Sequence, residues 1–392
     1  MAEPGSPKRV LLITRNLPPL VGGMERLNWH MAEELAKVTE VRIVGPKGSA
    51  AVAPAGVAVR EAPLAPLWRF LLRALRLARR EAASWKPDVV LAGSGLTAPL
   101  AWLAARACQA RSAVYVHGLD VAVRHPLYRM LWLPALRRMG VVIANSRPTA
   151  ELCRQIGVAV ERIAIVHPGV ELPLEPLSLG ERGRGEGSGA DFRQQHDLGQ
   201  RPLLLSVGRL STRKGLREFV SQALPRIVAA HPDALLLVIG DAPKQALHAQ
   251  AQPPESIQAA AEAAGVGGNL RFLGVITDYT KLGAAYRAAD VHVFPVRELP
   301  GDPEGFGMVA VEAAAHGLPT VAFATGGIVD AVADGHSGRL VPRGDYPGFA
   351  DAVSQMLAQR DALRTACVDF AKTFAWPAFG SGVWTALRGR RN

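Results

Sequence analysis

Short apolar runs alternate with longer stretches of helical periodicity along most of the chain. In the first half the runs lie in KRVLLITR, VRIVGP, PDVVLAG, AVYVHG and GVVIANS, and helical patterns such as residues 67–86 separate them. Uninterrupted apolar strands that alternate with helices are typical of a parallel sheet covered on both faces. The pattern therefore predicts a doubly wound α/β domain.

The alternation breaks once and then resumes. Residues 177–192, LSLGERGRGEGSGADF, are rich in glycine and charge and have no periodicity, which predicts a linker or mobile loop. Further strands are then predicted in RPLLLSVGRL, ALLLVIGD, NLRFLGV, DVHVFPV, LPTVAF and GRLVP. We therefore predict two Rossmann-like domains facing across a cleft, with ligands at the carboxyl ends of the strands. The expected boundaries are 1–176 for the N-terminal acceptor domain, 177–192 for the linker, 193–375 for the C-terminal nucleotide-sugar domain, and 376–392 for a helix returning to the first domain.

Composition places the chain among soluble globular proteins of the cytoplasm. The sequence is 49% hydrophobic, but no apolar run reaches the ~20 residues that cross a bilayer. The first apolar run is too short for a signal peptide and is interpreted as a strand. The cysteines, Cys108, Cys153 and Cys367, are scattered and odd in number. Their spacing fits neither a metal site nor a disulfide framework, which favours a reducing compartment.

Positive charge is concentrated in the first half. Residues 1–180 carry 23 Lys and Arg against 13 Asp and Glu, whereas the remainder carries 22 against 21. An asymmetry of this kind predicts that the first half alone meets an anionic surface or ligand. A general arginine bias of the sequence is the alternative.

Two glutamates flank a glycine-containing turn in PEGFGMVAVEAAAHGLPTVAF, residues 303–323. A predicted strand precedes the turn and a predicted helix follows it, so Glu304 and Glu312 lie near the same strand end. Gly305 and Gly307 allow a ligand to approach the backbone closely, and the N–H groups from Phe306 onward favour an anion. Carboxylates can accept hydrogen bonds from the vicinal hydroxyls of ribose or another sugar. The alternative is a capping acid followed by a solvated acid on the helix.

Three further stretches place polar or flexible residues after predicted strands. In SVGRLSTRKG, Arg209 and Lys214 suit a diphosphate, unless they are solvated loop charges. In LPPLVGGMER, Gly22 and Gly23 open a helix and permit close approach of a phosphate or sugar, although the motif is not GxGxxG. In VYVHGLD, His117 follows a buried strand and can bond a sugar hydroxyl or pack in the core.

Together these motifs resemble the retaining GT-B glycosyltransferases of family 4. PEGFGMVAVE matches the E-x7-E motif of that group, and VGRLSTRKG is similar to its diphosphate-binding segment. PPLVGGMER, HPGV, RFLG and AADVHVFP resemble further family segments in the same order, and the similarity covers about residues 8–376. The resemblance implies the GT-B fold and transfer of a sugar from a nucleotide sugar, with UDP or GDP as the expected nucleotide.

The resemblance also implies roles for individual residues. Arg209 and Lys214 would bind the diphosphate and Glu312 the ribose. Glu304 and His117 would contact the reacting sugar as catalytic residues. Gly22, Gly23, Gly305, Phe306 and Gly307 would bring backbone close to the donor. No cofactor or metal is expected, since Asp302-Pro303-Glu304 is only a near match to DxD. Relatives with His-Asp differ from the His117-Gly118 found here, which weakens a role for Asp120.

The acceptor expected from the resemblance is lipid-linked or an envelope polysaccharide, as in lipopolysaccharide biosynthesis. Arg69, Arg73, Arg76 and Arg80 recur at helical spacing among aromatic and leucine residues, and RHPLYRMLWLPALRR forms a second basic segment. These features predict peripheral attachment to anionic lipid on the inner face of the plasma membrane, unless the helix packs in the core with a solvated basic face.

Three alternative functions stay open at this stage. They are another GT-B reaction such as nucleotide-sugar epimerisation, a non-catalytic nucleotide-sugar-binding protein, and a nucleic-acid-binding protein suggested by charge alone. No nucleic-acid recognition motif supports the last, so no nucleic-acid partner is expected. The sequence does not identify the sugar, the acceptor, the linkage or the oligomeric state.

Overall fold

The computed structural model describes residues 6–173, 188–242 and 251–389, which form two compact units. The first unit falls within Met1–Gly169, Gly301–Phe306 and Ala375–Asn392, and the second within Val170–Pro300 and Gly307–Phe374. Each unit contains one parallel sheet with helices, which confirms the predicted fold class.

The strands of the first sheet are β1 (Arg9–Ile13), β2 (Glu40–Pro46), β3 (Ala58–Ala62), β4 (Val89–Ala92), β5 (Arg111–Val116), β6 (Val141–Ala144) and β7 (Ile163–Ile165). Those of the second sheet are β8 (Leu203–Val207), β9 (Leu235–Ile239), β10 (Leu270–Gly274), β11 (Val291–Phe294), β12 (Thr320–Phe323) and β13 (Gly338–Val341).

The helices that precede the second sheet are α1 (Gly23–Ala36), α2 (Leu67–Trp85), α3 (Ala98–Cys108), α4 (Leu119–Ala122), α5 (Pro126–Leu131), α6 (Leu133–Arg138), α7 (Arg147–Gln155) and α8 (Gly189–Gln195). They are followed by α9 (Leu216–Gln222), α10 (Leu224–Ala230), α11 (Pro254–Ala263), α12 (Tyr279–Ala288), α13 (Met308–Ala315), α14 (Ile328–Ala331), α15 (Tyr346–Lys372) and α16 (Trp376–Arg388). Short 3₁₀ turns lie at Ser49–Val52, Gly95–Thr97, Val160–Arg162, Thr212–Lys214 and Gly267–Asn269.

Strand order reverses once in each sheet. The first sheet has the order β3-β2-β1-β4-β5-β6-β7 and the second β10-β9-β8-β11-β12-β13, with parallel pairing throughout. The reversals lie between β1 and β4 and between β8 and β11. In open parallel sheets the carboxyl ends of the strands at such a reversal are where ligands bind.

The core of the first unit is built from apolar strands and alanine-rich helices. Leu11 and Ile13 of β1 are fully buried in a cluster with Phe70 of α2. Helices α2 and α3 pack closely because their facing residues are small. These are Ala74, Ala78, Ala82, Ala101, Ala104 and Ala105.

The second sheet has a buried apolar cluster on each face. Phe219 and Phe349 belong to the cluster on one face, and Phe192 belongs to the other. Asp290, just before β11, is buried; it accepts hydrogen bonds from the Leu203 backbone at 2.8 Å and from the Arg193 guanidinium at 2.9 Å. This pairing ties α8 to β8 and β11 and holds the amino ends of these two neighbouring strands together.

The predicted linker and the predicted C-terminal helix both lie partly within the described residues. Residues 177–187 of the predicted linker lie outside the described residues, whereas from Gly189 the chain is helical, with Ser188 capping α8. Helix α16 packs on α1 within the first unit, where a Cβ on Gly380 would lie 2.8 Å from Glu34 Cγ.

Candidate active site

The second unit brings the loops after β8 and β11 together at its strand reversal. The Arg297 backbone N–H donates to the Arg213 carbonyl at 2.8 Å, which joins the two loops directly. Gly215 has a φ of +69°, and a Cβ there would collide with the Pro295 carbonyl oxygen. Only glycine fits this position, since it tolerates both the left-handed conformation and the close approach.

Lys214 and the start of α13 lie against the same aromatic ring. The Lys214 ammonium is 4.5 Å from the centroid of Phe294, the last residue of β11. A Cβ built on Gly307 would lie 3.0 Å from Phe294 Cε1, and Gly307 caps α13 with a φ of +97°. The first N–H groups of a helix have no partner within the helix and attract an anion. A cation and a helix N-terminus therefore converge at the strand reversal.

Arg209 leaves the end of β8 toward solvent. Its side chain is exposed, and its guanidinium has no hydrogen-bond or ion-pair partner in the described parts of the chain. An arginine in this position is available to bind an anionic ligand with its planar fork of donors.

Glu312 lies one turn into α13 and is held from a neighbouring helix. Its Oε2 accepts a hydrogen bond of 3.3 Å from the hydroxyl of Tyr286 on α12. Tyr286 is buried and stacks on His316 with ring centroids 5.5 Å apart. The Arg287 guanidinium lies 3.0 Å from His316 Nδ1, which can only accept from it. Tyr286 and His316 thus form a rigid support behind Glu312.

Both histidines near this site are neutral at physiological pH. Burial and the neighbouring Arg287 charge lower the pKa of His316 to about 3. Burial and the Lys214 charge likewise lower the pKa of His292, within β11, to about 3. Neither histidine therefore adds positive charge to that of Arg209 and Lys214 at this pH.

In the first unit, His117 lies after β5 and is oriented by a backbone carbonyl. Its Nε2 is 3.0 Å from the Gly93 carbonyl oxygen, at the end of β4. Because a carbonyl only accepts, Nε2 carries the hydrogen, which leaves Nδ1 of the neutral ring as an acceptor. The imidazole can therefore accept a hydrogen bond from a sugar hydroxyl.

Asp120 is a structural clamp at this strand end. Its Oδ2 accepts from the backbone N–H groups of His117 and Gly95, each at 3.1 Å. One carboxylate oxygen thus joins the loops after β4 and β5. The sequence comparison with His-Asp relatives weakened a role for Asp120, and this bridge gives it a structural one.

The segment that carries Glu304 packs against the His117 loop within the first unit. A Cβ on Gly305 would collide with the His117 carbonyl oxygen and lie 2.8 Å from Asn145 Nδ2. Phe306 is buried, with its ring stacked 5.3 Å from His167. Gly305 therefore permits an approach between two backbone segments, and Glu304, half-buried, precedes this anchored pair.

Gly22 and Gly23 stand at the start of α1, after β1. The Asn16 amide donates to Glu25 Oε1 at 2.7 Å, which closes the turn over these glycines. A Cβ on Gly22 would collide with the carboxylate of Glu25. That carboxylate ends a flexible side chain and can shift, so the packing of the turn does not by itself require glycine there.

Comparison with known proteins agrees with this arrangement. The family described as Glycosyltransferase Family 4 matches residues 21–173, and that described as Glycosyl transferases group 1 matches residues 201–359. The chain belongs to glycosyltransferase family 4.

One relative of this family-4 glycosyltransferase is similar over nearly its whole length. It is the GDP-mannose-dependent alpha-(1-6)-phosphatidylinositol monomannoside mannosyltransferase of Mycolicibacterium smegmatis, 29% identical over 97% of this chain and 99% of its own. Among solved structures, Anabaena HepE in complex with UDP has a TM-score of 0.74 at 18% identity, covering 96% of this chain and 98% of its own. Sucrose-phosphate synthase from Thermosynechococcus elongatus also has a TM-score of 0.74, at 22% identity, covering 96% and 97%. These two structures share the fold.

The predicted site residues of this family-4 glycosyltransferase fall into two sets, one in each unit. Arg209, Lys214, Gly307 and Glu312 gather at the reversal of the second sheet. His117, Glu304, Gly305 and Phe306 gather beyond the ends of β5, β6 and β7 in the first unit, and Gly22 and Gly23 follow β1 of the same sheet.

Several positioning residues were missed from the sequence. Tyr286, Asn145 and the aromatic role of Phe294 lie far along the chain from the motifs that they support. His167 was noted only within HPGV, whereas its ring holds Phe306. Within the described residues, no group of three or more His, Cys, Asp or Glu is arranged to hold a metal ion, and no helix has the length and apolarity to span a membrane.

Proposed function

We propose that this glycosyltransferase moves a sugar from a nucleoside-diphosphate sugar to a lipid-linked acceptor, with retention of the anomeric configuration. The observation that carries the proposal is the meeting of Lys214 and the N-terminus of α13 on the ring of Phe294, at the strand reversal of the second unit. A doubly charged diphosphate matches a cation and a helix N-terminus placed side by side.

In this proposal Arg209 and Lys214 bind the diphosphate and stabilise the charge that develops as the nucleotide departs. Such stabilisation is most effective when the donors are already in place, because no reorganisation is then needed during the reaction. Lys214 is held over an aromatic face, and the backbone donors of α13 are fixed by the helix. Glu312, positioned by Tyr286, accepts hydrogen bonds from the ribose hydroxyls.

Glu304 and His117 act on the transferred sugar. The acceptor hydroxyl attacks the anomeric carbon on the face that the phosphate leaves, so one carbon–oxygen bond forms as the other breaks. The proton of the acceptor hydroxyl passes to the departing phosphate oxygen. Glu304 orients the sugar and offsets the positive charge that develops on it, and His117 Nδ1 accepts from a sugar hydroxyl.

The donor is proposed to be GDP-mannose and the acceptor an inositol phospholipid or its glycoside. The support is the Mycolicibacterium smegmatis relative, which aligns over nearly the full length of both chains. UDP-sugars form the second donor class to test. We further propose that the protein works at the cytoplasmic surface of an anionic membrane, because its acceptor is lipid-linked and its first half is basic.

Calorimetric titration with GDP, UDP and ADP, without metal and then with magnesium, tests the donor class. We expect one nucleotide to bind without metal, and a short DNA duplex to show no binding at physiological salt. Transfer is then measured with the matching sugar donors, using phosphatidylinositol monomannoside and a lipopolysaccharide core as acceptors. The anomeric configuration of the product is read by NMR.

Variants separate binding from turnover. Glu304→Gln should lower kcat about 10²- to 10³-fold, as loss of one electrostatic contact in a transition state does, while leaving GDP affinity within a few-fold. Arg209→Gln with Lys214→Gln should weaken GDP binding and turnover together. Glu262→Gln, an exposed carboxylate on α11, is the matched control and should change neither.

Other results would point elsewhere. Nucleotide binding with no transfer to any acceptor would favour the non-catalytic binding protein, and conversion of the sugar without an acceptor would favour an epimerase. Full activity in the Arg209/Lys214 double variant would show that the diphosphate binds elsewhere.

A further inference from the structure

An open groove of about 570 Å³ lies along α5 and α6 in the first unit. Its lining combines cationic and apolar side chains. They are Arg124, Pro126, Arg129, Met130, Leu133 and Arg137.

Three arginines give the groove positive charge. Arg124 and Arg129 are exposed, and neither guanidinium has an ion-pair or hydrogen-bond partner in the described ranges 6–173, 188–242 and 251–389. The third arginine, Arg137, donates its Nε–H to the Ile156 carbonyl. No acidic residue occurs between Asp120 and Glu151 in the sequence. The groove therefore carries positive charge that its own helices, α5 and α6, do not offset with a carboxylate.

Apolar side chains flank the arginines and face solvent. Leu127, Met130 and Leu131 are 51%, 64% and 50% exposed, and α5 has no buried residue. Three large apolar residues left exposed on one short helix form a surface that water solvates poorly. A ligand that places an alkyl chain next to an anionic group would cover both parts of this surface.

The groove is anchored next to the segment that carries Glu304. A Cβ on Gly301 would lie 3.4 Å from Arg124 Cδ, so Arg124 packs against the chain three residues before Glu304. Trp132 stacks on Tyr128 at 5.5 Å and donates its indole N–H to the Leu96 carbonyl at 2.8 Å. These contacts fix α5 to the loop after β4, close to the Gly93 carbonyl that orients His117.

We propose that this groove is the acceptor subsite and binds a lipid whose headgroup contains a phosphodiester. Arg124 and Arg129 hold the phosphate, and Leu127, Met130 and Leu131 cover the first methylenes of the acyl chains. The inference rests on the proposed transfer to a lipid-linked acceptor and specifies where and how that acceptor is held. The headgroup hydroxyls then extend past Arg124 toward the Glu304 segment.

Binding of short-chain dioctanoyl phosphatidylinositol, below its micellar concentration, tests the subsite without requiring turnover. Glycerophosphoinositol, which lacks the acyl chains, is the second probe. Arg124→Gln with Arg129→Gln should weaken binding of both probes by about tenfold or more, since both depend on charge-assisted hydrogen bonds to phosphate. Leu127→Gln with Met130→Gln should weaken only the binding of the acylated probe, by a few-fold.

A matched control removes the same charge elsewhere. Arg162→Gln with Arg226→Gln changes two exposed arginines outside the groove and should leave both affinities unchanged. GDP is titrated into the same samples and should bind every variant equally. Arg124→Lys with Arg129→Lys keeps the charge and should retain part of the affinity, which separates a loss of charge from a loss of folding in the Arg124/Arg129 glutamine variant.

Two results would overturn the subsite. The first is unchanged affinity for both probes in the Arg124/Arg129 double variant. The second is equal affinity for the acylated and deacylated probes with no effect of the apolar variant, which would mean that any phosphate binds and no lipid is selected. If the wild type fails to bind any nucleotide, the proposed donor site fails, while the result for the groove still stands by itself.

Discussion

At the scale of single residues, the proposed donor site depends on side chains that are not themselves proposed to touch the donor. Glu312 accepts a hydrogen bond from the hydroxyl of Tyr286, and Tyr286 stacks on His316. His316 in turn receives a hydrogen bond from Arg287. A carboxylate that is already held in position loses less conformational entropy when it binds ribose. This chain of contacts should therefore contribute to nucleotide affinity.

Tyr286→Phe should weaken GDP binding by about three- to tenfold, because it removes one hydrogen bond of ordinary strength from Glu312. The change keeps the ring and its stacking, so the melting temperature should stay within ~3 °C of the wild type. Calorimetric titration with GDP measures the effect. Adding Glu312→Gln to Tyr286→Phe should cost less than the sum of the two single changes, since both act through the same contact.

Tyr346→Phe is the control, because it removes a hydroxyl from another buried tyrosine of the same unit. It should leave GDP affinity unchanged. If Tyr286→Phe also leaves affinity unchanged, the hydroxyl does not position Glu312 for binding.

Candidates for binding could be proposed from the sequence, whereas the residues that position these candidates could not. Lys214, Arg209 and Glu312 follow predicted strands, and the carboxyl end of a parallel strand marks them as candidates. Tyr286 lies 26 positions before Glu312, within an ordinary helical pattern. Its role depends on which helices become neighbours, and one sequence does not contain that information in any local pattern.

At the scale of elements, α2 separates its buried and exposed faces cleanly. Phe70, Ala74 and Ala78 are fully buried on one face. The other face is exposed and basic, with Arg69, Arg73, Arg76, Arg79 and Arg80. Trp68 and Leu72 are 58% and 50% exposed between these arginines. The helix therefore packs in the core and presents a basic face with apolar side chains to solvent, and attachment to anionic lipid stays a prediction.

Charge reversal of this face should prevent vesicle binding. Arg69→Glu with Arg73→Glu and Arg76→Glu changes the local charge by six, and each basic residue near an anionic surface contributes about 1 kcal/mol. We expect the affinity for vesicles of phosphatidylglycerol and phosphatidylcholine, measured by co-sedimentation, to fall at least 100-fold. Binding to pure phosphatidylcholine should be weak for both proteins.

The corresponding control reverses three exposed arginines elsewhere, as Arg162→Glu with Arg201→Glu and Arg226→Glu. Equal losses in the two triple variants would mean that net charge, rather than α2, governs attachment. Retained binding in the α2 variant would remove the membrane role of this helix.

Eleven of the thirteen strands that the structure describes were predicted as elements, most of them from a short apolar run between turns. The two edge strands of the first sheet were not predicted, because β3, AVREA, contains two charged residues and β7, IAI, has only three residues. The fold of 301–306 was not predicted either, since these residues belong to the first unit although both flanking segments belong to the second. The sequence shows a turn after β11 there, and a turn pattern does not reveal its packing partner. Only the structure shows that Gly305 lies against His117 and that Phe306 lies against His167.

At the scale of the whole molecule, the chain completes its first unit with its last helix. Trp376, at the start of α16, is buried and stacks on His30 of α1 with ring centroids 4.0 Å apart. A Cβ on Gly169 would lie 2.7 Å from Trp376 Cδ2, so the chain after β7 passes directly under the indole. The far end of α16 is held by Arg111, whose guanidinium donates to the Leu387 carbonyl at 2.9 Å.

Trp376→Ala should therefore destabilise the first unit selectively, by ~3–5 kcal/mol, as removal of a large buried aromatic side chain typically does. Hydrogen exchange followed by mass spectrometry reads each sheet separately. Protection should fall in β1, β5 and β6 and stay unchanged in β8 and β11. Phe349→Ala, which removes a large side chain from the core of the second unit, should produce the opposite pattern.

Because the proposed diphosphate site lies in the second unit, GDP binding should survive in Trp376→Ala while sugar transfer is lost. Equal loss of protection in both sheets would show that the two units unfold as one, and the C-terminal helix would then stabilise the whole protein and not only its first unit.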